Sequence, residues 1–288
     1  MSKWSEDLPK DLQNKIEIVD EKISSKLEDI TEIVLNNQRR VLELFRKHHV
    51  AEEDLVGSTG YGYDDIGRDK LDAMFADYFK TEDAMVRPQL TSGTHAISTA
   101  FFGVLRPHDT LHYLTGMPYD TIQEVIGVAG DNPGTLEEHL INFSYTPLLD
   151  NGKVDYKRAK EDLQKDSSIK MVAIQRSRGY SSRDSFVVSE IAEMIKFVKK
   201  YAPQAIIFID NCYGEFTETE EPTFYGADLM AGSLYKNAGG GIAKTGAFLV
   251  GNKDLIDRCG ARLIVPGAGK NESRRPSGLR KTKFVFNS

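Results

Sequence analysis

Between residues 70 and 250 the chain alternates short, apolar, β-branched runs with stretches of helical periodicity, a pattern that few folds satisfy. The spacing predicts helices over 70–79, 94–105, 119–128, 156–164 and 188–201. Strands are predicted over 84–89, 110–114, 171–175, 205–209, 228–233 and 246–250, with 140–148 extended. The run AIIFI at 205–209 is the clearest: short, continuous and bounded by turn residues, it reads as a buried strand. Strand–helix alternation implies βαβ units, and so an α/β fold with a mainly parallel sheet and helices on both faces. Ligands of such sheets bind beyond the carboxyl ends of the strands, so function is sought just after each one.

Upstream lies a different pattern. Leu12, Ile16, Val19, Ile23, Leu27, Ile30 and Val34 form one apolar stripe on a helix, with Lys and Glu between them. The stripe loosens after Val34, which favours a helix packed on a core or a partner subunit over a coiled-coil arm. The expected organisation is therefore a helical segment over 1–56, a ligand-binding unit over 57–265, and a tail over 266–288. That tail holds six basic residues and one acid, a net +5, and leaves −11 on the other 265 residues of a chain whose net charge is −6. An acidic body argues against nucleic acid as a partner. No apolar run approaches the ~20 residues that span a bilayer, and MSKWSEDLPK has no secretory pattern. Cys212 and Cys259 make neither a CxxC pair nor a zinc spacing, which fits two reduced thiols in the cytoplasm. His48-His49, at the end of a polar helix, reads as solvated rather than metal-binding.

Three strand ends carry chemistry. Ser92-Gly93-Thr94-His95 follows a strand and opens a helix, where free amides, a small hydroxyl and a glycine suit a phosphate; Thr94 as a simple cap is the competing reading. Asp210 follows AIIFI directly, and a carboxylate there is desolvated unless a cation or a donor meets it; capping of the next turn is its alternative. Ser233-Leu234-Tyr235-Lys236 precedes Asn237-Ala238 and three glycines, placing a lysine at the ligand edge of the sheet as a candidate imine-forming nucleophile. A phosphate cradle, a buried Asp and a downstream Ser-x-x-Lys, in that order, match the needs of pyridoxal phosphate. AGGGIAKT at 238–245 is not a P-loop, because both required glycines are alanines, and neither HExxH nor GxSxG is present.

The segments GYGYDDIGRD, SGTHA, TGMPYDT, QRSRGY, IDNCYGEF and GSLYKNAGGG together resemble the methionine gamma-lyase-like proteins often labelled aluminium-resistance proteins. Those belong to the Cys/Met-metabolism group of fold-type I pyridoxal-phosphate enzymes. The resemblance covers roughly 54–269 and implies a large domain built on a seven-stranded, mainly parallel sheet. It implies Lys236 as the lysine that bonds the cofactor and Asp210 as the partner of its pyridine nitrogen. Ser92, Gly93, Thr94 and Ser233 would form the phosphate cup. Tyr119 is similar to the aromatic that stacks on the ring, with His95 as the rival. In the wider group a Tyr-x-Arg segment reaches the phosphate from a neighbouring subunit. Tyr63 matches that tyrosine, but the arginine position falls on Asp65, leaving Arg68 as the nearest substitute and a helix-start ion pair as its competing reading. Arg176 and Arg178 are candidates to face the cofactor or a substrate carboxylate.

The implied reaction is elimination at a small sulfur-bearing amino acid by a homodimer or homotetramer, with Lys236 as general base at Cα. Cysteine, cystathionine and methionine all fit. The resemblance also implies a small C-terminal domain for which this chain has no room. NESRRPSGLRKTKFVFNS lacks a family match, and a frameshifted or prematurely ended reading is the favoured expectation for it. A non-catalytic cofactor-binding remnant, a regulatory protein and another fold-type I enzyme such as an aminotransferase stay as alternatives.

Overall fold

The computed structural model describes residues 3–58, 62–239, 242–263, 265, 267, 269 and 270. Apart from Gly267, Gly269 and Lys270, the +5 tail lies outside them.

The chain opens with α1 (Lys10–Lys47), then α2 (Ile66–Tyr78), β1 (Asp83–Arg87), α3 (Gly93–Val104), β2 (Thr110–Tyr113) and α4 (Asp120–Ile126). It continues through β3 (Asn142–Tyr145), α5 (Tyr156–Lys165), β4 (Ile169–Gln175), α6 (Val188–Tyr201), β5 (Ile206–Asp210), β6 (Leu229–Ser233), β7 (Ala247–Gly251) and α7 (Lys253–Leu263). The seven strands form one sheet in the order β1-β7-β6-β5-β4-β2-β3, and β7 alone runs antiparallel to its neighbours. The expected α/β architecture is therefore present.

Strand alternation splits the core into two layers. Val172, Ile174, Ile207 and Ile209 pack with α2, α5 and α6 on one face. Met171, Ala173 and Phe208 pack with α3, α4 and α7 on the other. Both faces of β4 and β5 are covered, which is why these strands read as continuous apolar runs rather than alternating ones.

Some boundaries move for local reasons. Helix α2 starts four residues earlier than predicted, because Asp65 caps it by accepting the Arg68 N–H at 2.9 Å. Gly127, at φ 102°, ends α4 in the left-handed region, and only Asn142–Tyr145 of the extended 140–148 joins the ladder. Helix α7 was not predicted, although Leu255, Ile256 and Cys259 repeat at helical spacing. His48 is not simply solvated: its Nε2 lies 2.5 Å from Asp77 Oδ2.

Helix α1 departs most from expectation. Of the two expected settings for its stripe, this chain's core or a partner subunit, the first is not seen: Leu12, Val19, Ile23, Leu27, Ile30 and Val34 are all exposed. Contact with the body comes later, where Asn37 is buried and donates to the Phe216 and Glu218 carbonyls and Val41 enters the core.

Candidate active site

Parallel pairing brings the carboxyl ends of β2, β4, β5 and β6 to one edge of the sheet. Gln175, the last residue of β4, pairs with Asp210, the last of β5, and Asp210 pairs with Ala231 two residues before the end of β6. Asp210, expected just past its strand, thus closes it. The chain leaves β1 through a short loop and enters α3 at the same edge.

Asp210 is 2 % exposed, and one carboxylate oxygen accepts the Cys212 N–H at 3.1 Å. Burial pushes its carboxyl above the ordinary value, against the pull of Cys212 and of the Lys236 charge. Lys236 is half-buried. Burial alone would lower its amine, but Cys212, Tyr213, Asp210 and Tyr235 around it outweigh that and hold it above the usual lysine value. Its Nζ sits 3.9 Å from the centroid of the Tyr213 ring, a cation–π seat.

At α3, the Ser92 side chain caps the first turn by accepting the His95 N–H at 3.0 Å. Gly93 is pressed against the strand ends: a Cβ there would lie 2.5 Å from Cys212 Sγ and 3.5 Å from the Ser233 Cβ. Only glycine allows the helix N-terminus this approach. Ser233 is fully buried, and among the described residues its hydroxyl has no hydrogen-bond partner. A buried polar atom left unpaired costs free energy and calls for an explanation. Here it stands beside amides whose helix dipole favours an anion.

Tyr119 precedes α4. Its hydroxyl is 2.8 Å from Thr94 Oγ1, and its backbone N–H donates to Gln175 Oε1 at 3.0 Å. Burial raises the phenol well above its ordinary value, with the Asp210 charge adding to the effect. Thr94, Tyr119, Arg178, Asp210, Tyr213 and Lys236 line one cavity of about 490 Å³. A larger hollow of about 880 Å³ shares Tyr119 and Arg178 and extends along 147–152 and 181–184, away from Lys236 and Asp210.

Not every predicted residue meets at this cavity. His95 lies off its wall, and its Nδ1 faces the Thr91 N–H at 3.3 Å. Arg68 is 1 % exposed and spans its own chain, donating to the Gly62 carbonyl at 2.7 Å and to Asp69 at 2.8 Å. Tyr63, on the same loop, points outward at 58 % exposure. Arg176 turns away from the cavity and donates to Asn211 Oδ1 and the Gly214 carbonyl, each at 2.8 Å, and to Glu218. Arg178 remains as the arginine on the wall.

Three residues at this edge went unassigned in the sequence. Tyr213 holds a left-handed φ of 71°, uncommon outside glycine and frequent at functional sites. Glu215 is fully buried, and burial pushes its carboxyl up to about 8. Tyr113, at the end of β2, is buried, and its hydroxyl has no hydrogen-bond partner among the described residues. Tyr213 and Glu215 both lie in IDNCYGEF, where a carboxylate beside glycine in a turn just past a buried strand was the available signal.

The residues fit pyridoxal phosphate. An unpaired buried hydroxyl and a glycine-tight helix start suit its phosphate, a buried carboxylate suits a protonated ring nitrogen, and an amine stands at the same cavity.

Comparison with known proteins gives consistent results. The methionine gamma-lyase family profile matches residues 12–285, a span that extends beyond the expected 54–269 to take in most of α1 and most of the tail expected to lack a family match. An uncharacterized protein of Bacillus subtilis, YnbB, is 51% identical over 249 residues, which are 86% of this chain and 58% of that protein. This chain therefore spans little more than half of that relative's length. A crystal structure of a candidate cystathionine beta-lyase involved in aluminium resistance from Listeria monocytogenes superposes with a TM-score of 0.91 at 46% identity, covering 95% of this chain and 70% of the other. A similarly described protein from Clostridium acetobutylicum gives a TM-score of 0.93 at 40% identity, covering 99% and 69%.

Proposed function

The chain belongs to the methionine gamma-lyase family, and on that premise we propose that its protein is a pyridoxal-phosphate-dependent carbon–sulfur lyase acting on a small sulfur-containing amino acid. The observation that carries this reading is the convergence of Asp210, Lys236 and the unpartnered Ser233 hydroxyl on the N-terminus of α3.

When bound, the cofactor supplies an electron sink for the negative charge that develops at the substrate Cα. The Ser233 hydroxyl and the amides of Gly93 and Thr94 would hold its phosphate, aided by the α3 dipole. The Asp210 carboxylate would keep a proton on the ring nitrogen; a positive neighbour there offsets the burial that now raises its carboxyl. The Tyr119 ring would cover one flat face, its hydroxyl fixed by Thr94. Arg178 would meet the substrate carboxylate as a charge-assisted pair. The Lys236 amine would take the proton from Cα and, as the ammonium its acidic neighbours favour, return one to the leaving sulfur.

We further infer a homodimer or homotetramer: the apolar stripe of α1 lies exposed on the single chain, and Tyr63 points away from its own cavity. Two buried free thiols support a reducing compartment such as the cytoplasm. Among the described residues no helix is long and apolar enough to cross a membrane.

The test is elimination by purified protein supplied with pyridoxal phosphate. Release of thiol and a 2-oxo acid from cysteine, cystathionine or methionine is expected. Cofactor binding with no release from any of the three would instead support a non-catalytic binding protein.

A further inference from the structure

The turn that follows Asp210 touches the lysine-bearing segment at both ends. At the near end, Glu215 Oε1 accepts the Ser233 N–H at 2.8 Å, inside the core. At the far end, the Asn237 side-chain amide donates to the Tyr213 carbonyl at 2.6 Å and to the Glu215 carbonyl at 3.3 Å. Between these two points the Lys236 ammonium rests on the Tyr213 ring. One short turn, beginning at the residue after Asp210, thus holds the start, the middle and the end of 233–237.

That turn is itself held from below. Arg176 donates to Asn211 Oδ1 and to the Gly214 carbonyl. Glu221 accepts from the Asn211 side chain and from the Phe216 N–H, each at 2.9 Å. A Cβ on Gly214 would fall 2.5 Å from the Arg176 side chain, so the turn and the guanidinium are fitted closely. The second carboxyl oxygen of Glu215 is buried and has no hydrogen-bond partner among the described residues. A hydrogen-bond acceptor at that position is what the geometry uses; burial outweighs the pull of the Lys236 charge and of the backbone N–H groups toward a negative carboxylate.

We propose that Glu215 and Asn237 are positioning residues for Lys236. They clamp the segment that carries it to the turn that carries Asp210, and so fix the amine relative to the carboxylate. The inference rests on reading Lys236 as the cofactor-binding amine, but the clamp also acts in cofactor-free protein.

Two readouts on the same samples separate these claims. The first is hydrogen exchange of the 233–237 amides without cofactor. The second is the dissociation constant for pyridoxal phosphate, from its absorbance change. Loss of one buried hydrogen bond is worth roughly tenfold, so Glu215→Ala is expected to speed exchange at Ser233 and weaken cofactor binding by about that factor each. Glu215→Gln keeps the acceptor and is expected to stay within about threefold of the wild type in both. Asn237→Ala, at a half-buried side chain outside the core, is expected to loosen the far end similarly, and it carries the test if Glu215→Ala does not fold. Unchanged exchange in both Asn237→Ala and Glu215→Ala overturns the clamp, as does Glu215→Gln behaving like Glu215→Ala. If wild-type protein binds no cofactor, the functional reading fails while the exchange data still decide on the clamp.

Discussion

Replacing Ser233 with alanine should move two quantities in opposite directions. The hydroxyl is fully buried and has no partner among the described residues. Burying an unpaired hydroxyl costs about 1–3 kcal/mol. Removing it relieves that cost and forfeits the oxygen's dispersion contacts, leaving a net gain of about 1 kcal/mol in cofactor-free protein. For a chain of this size that is about 2–4 °C in thermal midpoint. The same hydroxyl is the donor this account assigns to a phosphate. A hydrogen bond to a charged group is worth about 1.5–3 kcal/mol, so affinity for pyridoxal phosphate should fall between about 10-fold and 150-fold. The assay is a pair of thermal melts, with and without cofactor, alongside a binding titration. The variant should melt higher than wild type without cofactor and gain less when it is added. A lower cofactor-free midpoint would mean that the hydroxyl is already satisfied. Unchanged affinity would mean that the phosphate sits elsewhere. Either result refutes the reasoning.

Further expectations follow from single features of the structure. Gly93→Ala places a Cβ 2.5 Å from Cys212 Sγ, so it should destabilise the protein by about 1–3 kcal/mol in urea unfolding and weaken cofactor binding together. His112 is buried between Ser144 and Thr146, and burial pushes its imidazole down to about 4. The unfolded chain therefore takes up that proton first on acidification. Its contribution to stability is complete above about pH 6.5 and lost as pH falls towards 4, by up to about 3 kcal/mol. His112→Gln should flatten this part of the urea midpoint's pH dependence, and an unaltered slope would contradict the assignment. Glu215 has the opposite sign: its raised carboxyl stabilises below about pH 4.5 and loses that benefit as pH rises through about 8. Glu215→Gln should therefore gain on wild type in thermal midpoint as pH rises. If the α1 stripe is an assembly surface, Leu27→Asp with Ile30→Asp should lower the sedimentation mass, since each buried apolar side chain is worth about 1.5–3 kcal/mol.

The sheet was legible because both of its faces are covered. Burial on two sides makes β4 and β5 continuous apolar runs, and AIIFI could scarcely be anything else. The residues that end β5 and β6, Asp210 and Ser233, were legible too, since topology alone sends them to the ligand edge. Contacts between segments distant in sequence were not legible. Nothing near Glu215 reveals that its carboxyl meets Ser233, or that Arg176 faces the turn after β5 while Arg178 faces the cavity. Arg68 illustrates a different limit. One-dimensional matching placed it near a phosphate-binding position, but the fold commits its guanidinium to Gly62 and Asp69. The α1 stripe is legible as an apolar face, but periodicity tells which residues share a face and not whether this chain's core or a partner subunit covers it.

The most direct test of the central claim is chemical. Protein incubated with pyridoxal phosphate is reduced with borohydride, digested and mapped by mass spectrometry. The account expects a pyridoxyl group on Lys236, at the cavity it shares with Asp210 and Tyr119, and its loss in Lys236→Ala. A label absent from Lys236, or carried instead by surface lysines to the same extent in both proteins, would contradict it.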